Sequence, residues 1–441
     1  MKRAVLIIGI ILIARGAFAE SDKMDFTLSE VIDFALKNNP GIRSSRSDIE
    51  IENYGIKAAK AAKWPKVDLS SGVTRYRYPS PITPIAGSPL AGAAFPEFDK
   101  TIYDASVVFS LPFYRGGRLD REVQIAELRR AIAEDTFHMN RQELIYNLTS
   151  VYYKIYELEK LLAANESSVQ QLVTHKKNIE LFLEAGTVPR VDLLKTEAAL
   201  AHAQQTALLT RNSLASTYEL LKALMGIEDA TKRITLVYEQ LECDRYQLLE
   251  DSIAQAFLQR PDYKAALKQQ RIAEERIKLA RGKRIPAVSL NGEYNERSGE
   301  DLSFNENWNL SVRITMPLFD GGAITAEVHR QEKELAKSEE EMRFLRLAII
   351  REVKDAYLNI QSAQERIEAT RKAIDSAQET LRIERLKYDS GKGTSTDVID
   401  AQTALLRAET DYYQALYDKD IAVAALQKAM GEERYGKEEV R

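Results

Sequence analysis

Cysteine is nearly missing from this chain: Cys243 is the only one in 441 residues. A single thiol forms neither an internal disulfide nor a thiolate metal cluster. After residue 14 no stretch approaches the roughly eighteen apolar residues of a membrane helix, so a membrane could be crossed only by strands. Histidine is scarce too, and His138, His175, His202 and His329 are scattered without metal-ligand spacing, each reading as a solvated or packed helix residue. Gly116-Gly117 and Gly321-Gly322 lack the Lys-Ser/Thr of a phosphate loop, and no nucleophile elbow occurs. Neither an enzyme nor a cofactor or metal site is expected. Proline is absent from 113–188 and again from 318 to the end, which leaves room for very long helices.

Residues 1–19 read as a secretory signal peptide. Lys2 and Arg3 open it, Ala4 to Ala14 form its apolar core, and Ala17-Phe18-Ala19 makes the cleavage site. The residue directly after that site is Glu20 and not a cysteine, so no N-terminal lipidation is expected. The formal net charge is -4; losing the leader's three basic residues takes it to -7. Without any basic patch interleaved with aromatics, that balance disfavours nucleic acid.

What is present is a repeat. Leu111-Pro112-Phe113-Tyr114-Arg115-Gly116-Gly117 returns as Met316-Pro317-Leu318-Phe319-Asp320-Gly321-Gly322, 205 residues later. The spacing holds outward from there. Pro40 to Pro65 and Pro261 to Pro286 are both 25 residues, and Pro112 to Gly186 and Pro317 to Gly391 are both 74. Two homologous halves follow, 20–226 and 249–431, with a bridge at 227–248 and a tail at 432–441.

Each half opens with a helix interrupted at Asn39-Pro40 or Arg260-Pro261 and ended near Pro65 or Pro286. The period then changes to two. Trp308, Leu310, Val312, Ile314 and Met316 alternate with polar residues, and Ala105, Val107, Phe109 and Leu111 alternate with Asp104, Ser106, Val108 and Ser110. Hairpins are expected at 67–113 and 287–318, the first with a proline-rich extracellular loop at 79–98. Pro112 and Pro317 are expected to stop the strand ladder, and Gly116, Gly117, Gly321 and Gly322 to supply a tight turn and close helix packing. Long helices at 116–185 and 322–390 and returning helices at 191–224 and 395–430 complete the halves, with coiled-coil stripes such as Leu144, Leu148, Val151 and Ile155.

Strands of ten to thirteen residues with this alternation match transmembrane β-strands, although a soluble hairpin packed on helices is the blander reading. Four strands cannot close a barrel, and an open edge in lipid is forbidden, so closure requires assembly. Three copies would give twelve strands; composition does not choose between three and four. The fold class expected is mixed α and β, a shared barrel continued by a long helical coiled-coil barrel.

These residues resemble the TolC family of outer-membrane efflux proteins. The matching pieces are Leu28-Ser29-Glu30-Val31, Ala35 to Ile42, Ala58 to Pro65, the two joints, and Tyr388 through Asp400 with Ala401-Gln402. The resemblance covers nearly the whole mature chain and implies a homotrimer with a twelve-stranded barrel in outer-membrane lipid of a Gram-negative bacterium. It also implies a periplasmic helical tunnel with an equatorial region at the bridge. Its partners would be a periplasmic adaptor (membrane fusion) protein and an inner-membrane pump of RND or ABC type, in efflux or type I secretion.

The resemblance further implies a periplasmic gate, with Tyr388, Asp397 and Asp400 matching its tyrosine and two aspartates. Asp397 and Asp400 share a helix face, and symmetry would make each a ring of carboxylates. The plainer alternative is that Asp397 only favours a helix N-terminus. Gly393 stands where the family often has a basic residue, which leaves Lys392 beside it as a substitute. Gly186, Thr187, Arg190, Gly391, Gly393 and Thr394 mark the helix tips where an adaptor could touch. The rival of another class is a periplasmic coiled-coil adaptor or structural protein without a pore of its own. The cargo, whether drug, metal ion or protein, is not written in the chain.

Overall fold

The computed structural model of the chain describes residues 23–77, 99–229, 231–239 and 248–432. The expected signal peptide 1–19, the loop 79–98, Cys243 with most of the second half of the bridge, and the tail beyond 432 lie outside the described residues.

The same element lengths recur in the same order. Helices α1 (Leu28–Asn38) and α5 (Leu249–Gln259) have 11 residues, and α2 (Pro40–Ala61) and α6 (Pro261–Gly282) have 22. Helices α3 (Arg118–Glu184) and α7 (Ala323–Asp389) have 67, while α4 (Arg190–Met225) and α8 (Ser395–Met430) have 36. At 1.5 Å per residue the longest reach about 100 Å. Asn39 and Arg260 have ψ near 125°, the extended backbone a following proline enforces. Pro40 and Pro261 then open the next helix in its first turn, where a missing N–H costs nothing. The expected kink is thus a one-residue break.

Contacts divide the chain into two units, 1–40 with 142–249 and 354–441, and 41–141 with 250–353. In the first, α3 buries Leu148, Tyr152, Tyr153 and Ile155, α1 buries Leu28, Val31 and Ile32, and α4 buries Leu221 and Met225. The bridge is fastened here by a pairing the sequence reading did not foresee. Strand β1 (Lys23–Phe26) lies parallel to β4 (Arg233–Leu236). Tyr153 Oη donates to Glu239 O at 2.9 Å, and Tyr152 Oη donates to Val237 O while accepting from Glu239 N at 3.1 Å.

The second unit holds one antiparallel sheet of β2 (Lys66–Arg75), β3 (Thr101–Arg115), β5 (Ala287–Ser298) and β6 (Asn305–Thr315), in the order β2-β3-β5-β6. The two hairpins therefore join through β3 and β5.

The joints differ from expectation in two ways. Pro112 does not stop the ladder: β3 runs through it to Arg115, paired with β5. By Pro112 the partner β2 has already ended at the Lys66–Ser110 pair, and a bulge between Pro112 and Tyr114 absorbs the proline. In the second copy β6 does end, at Thr315, before Pro317. All four joint glycines have positive φ, but only Gly116 is packed closely. A Cβ there would lie 2.4 Å from Gly282 O, whereas Gly117, Gly321 and Gly322 have nothing within 4 Å. Within the chain, close packing is seen at the first joint and the turn at both.

Candidate functional site: sheet edges and helix tips

The pairing register sorts the four strands into two faces. On one lie the rows Val67–Phe109–Gly292–Leu310, Leu69–Val107–Tyr294–Trp308, Leu111–Leu290–Val312 and Tyr114–Val288–Ile314. On the other lie Lys66–Ser110–Asn291–Ser311 and Ser70–Ser106–Asn295–Asn307, with Ser70 and Ser106 hydroxyls 2.7 Å apart and Ser110 Oγ donating to Asn291 Oδ1 at 3.1 Å. The eleven residues of β6 run about 33 Å at ~3.3 Å per step, which at the roughly 40° tilt of a barrel strand spans about the ~25 Å apolar band of a membrane barrel.

The apolar face is uncovered in the single chain. Trp308, Leu310, Val312 and Ile314 are 63–70% exposed, and Val67, Leu69 and Val73 are similarly open. Seven such side chains left in water forgo on the order of 10 kcal/mol, comparable with the whole stability of a domain. Strands β2 and β6 are each paired on one side only, so each presents an unpaired backbone edge as well. Among the described residues no helix is long and apolar enough to cross a membrane.

The helix tips lie in the other unit, and both turns are built alike. Gly186 N donates to Leu183 O and Thr187 N to Phe182 O; Gly391 N donates to Tyr388 O and Lys392 N to Lys387 O. Each glycine has φ +71° and closes its long helix in the usual left-handed cap. Gly186, Thr187, Arg190, Gly391, Lys392 and Thr394 are all exposed.

Thr394 caps α8 in a full capping box. Its Oγ1 accepts from Asp397 N at 3.2 Å, while Asp397 Oδ2 accepts from Thr394 N at 3.0 Å and from Thr394 Oγ1 at 2.7 Å. Those bonds hold the Asp397 carboxyl below its ordinary value. Asp397 is therefore a cap, yet it remains an exposed, charged carboxylate, as Asp400 is exposed one turn on. Thr394→Ala should cost about 1 kcal/mol of stability, read by thermal unfolding, because it removes the cap and leaves both carboxylates in place.

Gly393 now has a physical reason. A Cβ there would lie 3.0 Å from Lys387 Cβ and 3.1 Å from Tyr388 N, so a basic side chain would press on the last turn of α7.

Tyr388 is buried, 6% exposed, in an apolar cluster with Ile179, Leu381, Val398, Ala401 and Leu405. Its hydroxyl has no hydrogen-bond partner among the described residues, and neither amide atom of the buried Gln402 has one. Each such group costs about 1–3 kcal/mol when packed, which weakens the association of the helices here.

Sequence reasoning missed the residue beside Tyr388. His175 is 7% exposed, its Nε2 3.0 Å from Ser395 Oγ and its ring 5.0 Å from the Tyr388 ring, edge to face. The signal was available: Leu172, His175 and Ile179 form one helical stripe, and all three are buried. His138, His202 and His329 lie elsewhere, and among the described residues no group of three potential ligands could hold a metal ion.

A sheet with one apolar face and two unpaired edges is suited to lipid on that face and to further strands at its edges. The chain belongs to the outer membrane efflux protein family, whose model matches residues 31–227 and 252–432. It is 22% identical over 435 residues to outer membrane efflux protein BepC of Brucella suis, covering 97% of this chain and 89% of BepC. It is 24% identical over 419 residues to outer membrane protein TolC of Vibrio cholerae, covering 92% and 90%. The CmeC outer membrane channel of Campylobacter jejuni has the same fold, with a TM-score of 0.79 over 92% of this chain and 85% of CmeC at 17% identity. These relatives are efflux and channel proteins, not enzymes. The chain is an outer-membrane protein of a Gram-negative bacterium, which sets aside the poreless adaptor.

Proposed function

We propose that three copies of this chain close a twelve-stranded barrel and form the exit duct of a tripartite efflux or type I secretion system. One observation carries the reading: the four-stranded sheet has one uncovered apolar face and two unpaired edges. Edge-to-edge joining of β6 to the next copy's β2 pairs both edges, and lipid covers the face. Four strands from each copy match four from the others, and the equal helix lengths of the two halves support an internal repeat continuing the barrel as a helical one through the periplasm. The duct is passive. Substrates come from an inner-membrane pump of RND or ABC type through a periplasmic adaptor that touches the tips at Gly186, Thr187, Arg190, Gly391, Gly393 and Thr394.

The periplasmic constriction falls to Tyr388, Lys392, Asp397 and Asp400. Symmetry multiplies Asp397 and Asp400 into rings of carboxylates that attract cations at the mouth. Replacing both with alanine should lower cation selectivity in planar-bilayer recordings, whereas Thr394→Ala should leave selectivity unchanged while losing the cap. Selectivity that survives the double replacement would remove these aspartates from the pore.

A further inference from the structure

The region around His175 brings all four helices of the first unit's hairpins to one point. His175 belongs to α3, Thr196 to α4, Tyr388 to α7 and Ser395 to α8. Thr196 and Ser395 are wholly buried. Thr196 Oγ1 donates to Asp192 O at 2.9 Å, so it accepts from Ser395 Oγ, 3.3 Å away. Ser395 Oγ then accepts from His175 Nε2 at 3.0 Å. The relay has a direction: it requires a proton on Nε2, which the neutral Nε2–H tautomer supplies and a proton added at Nδ1 would not remove.

We propose that His175 is a proton-sensitive latch between the two helical hairpins: neutral, it ties α3 to α8 and α4 beside Tyr388, and proton uptake releases them. A second proton, on Nδ1, adds a full charge to a side chain that is 7% exposed and packed edge-on against the Tyr388 ring, and the cost of burying that charge is what loosens the packing. The charged groups facing it do not compensate. From α7, Arg385 opposes protonation while Asp389 favours it; from α4, Asp192 favours it; α8 offers only the neutral Ser395 hydroxyl. On α3 itself the adjacent Lys176 is engaged by Glu197 at 2.8 Å. Burial and then Arg385 hold the imidazole below its ordinary value.

A histidine whose value is lowered in the packed state keeps that packing at full strength above its ordinary 6.5, and the packing weakens as pH falls from there toward the lowered value. A cleft of about 380 Å³, lined by Thr174, His175, Asn178, Arg385, Tyr388 and Asp389 among others, lets solvent protons reach the ring. The packing released is already weakened by the unpaired Tyr388 hydroxyl and Gln402 amide. The consequence for transport rests on the reading of these tips as the duct's periplasmic end: acidification there would favour opening.

Hydrogen–deuterium exchange on the full chain in detergent tests the latch without requiring conduction. The readout is exchange of amides in 172–198 and 384–402 between pH 7.5 and 5.5, corrected for chemical exchange. The wild type should show up to about a tenfold rise in its opening constant. His175→Gln should show none, and Ser395→Ala should open more at every pH while keeping the wild-type slope. A wild type without pH dependence, or a His175→Gln variant with the wild-type slope, would overturn the proposal. Bilayer conductance over the same pH step separates the two readings. If no conductance occurs at any pH while the exchange contrast persists, the channel reading fails and the latch stands.

Discussion

Gly116→Ala is expected to destabilise the protein by on the order of 3 kcal/mol, while Gly117→Ala one residue later costs about 1 kcal/mol. Both glycines have positive φ, 64° and 72°, and an L-residue held there loses roughly 1–2 kcal/mol. Only Gly116 adds a collision, since its new Cβ would stand 2.4 Å from Gly282 O and 2.9 Å from Ile285 Cβ. The carbonyl belongs to backbone, which must move as a whole, and overpacking of that kind costs about 1–3 kcal/mol more. Gly321→Ala and Gly322→Ala should behave like Gly117→Ala, because a Cβ at either meets nothing within 4 Å. Thermal unfolding of the four variants checks this. Equal losses at all four would mean that the first joint is not the close strand-to-helix contact described.

Leu310→Lys and Ser311→Lys should have opposite outcomes although they are neighbours on β6. Leu310 sits in the row Val67–Phe109–Gly292–Leu310 and is 64% exposed on the apolar face; Ser311 lies in the row Lys66–Ser110–Asn291–Ser311 on the polar one. A lysine facing the middle of a bilayer costs about 2–4 kcal/mol, and in the proposed trimer the three copies would triple it to about 6–12 kcal/mol. Ser311→Lys places its charge on the water-facing side beside asparagine and serine. Outer-membrane fractions run on gels without boiling report the result: little assembled oligomer for Leu310→Lys, normal amounts for Ser311→Lys. The reverse order would assign the faces the other way round.

Much of this was readable in the residues. Proline and glycine spacing placed every long helix within two residues, since Pro40, Pro261, Gly186 and Gly391 act through their own backbone restrictions wherever they stand. The period-two runs identified β5 and β6 for the same local reason. What escaped was non-local. Nothing in 105–111 or 288–296 says that β3 pairs with β5, because register across 180 residues is decided by the apolar rows meeting in space. Pro112 misled because its effect depends on where β2 ends. The pairing of β1 with β4 was hidden in two four-residue strands, too short to carry a pattern. At the tips, the role of Asp397 as a cap was foreseen as an alternative, but the Gly393 contact with α7 and the burial of Tyr388 needed the tertiary structure. His175 was set aside as one scattered histidine. Its place on the Leu172–Ile179 stripe announced burial, while its partners Ser395 and Thr196 come from helices 220 and 21 residues away in sequence.

In the proposed assembly, other copies of the same chain close the unpaired edges of β2 and β6. The mass of the detergent-solubilised complex, taken by native mass spectrometry after lipid removal, tests it most directly. Three chains per particle is the predicted result. A stable monomer would contradict it, because the sheet of one chain would then have to live with two open edges and a bare apolar face.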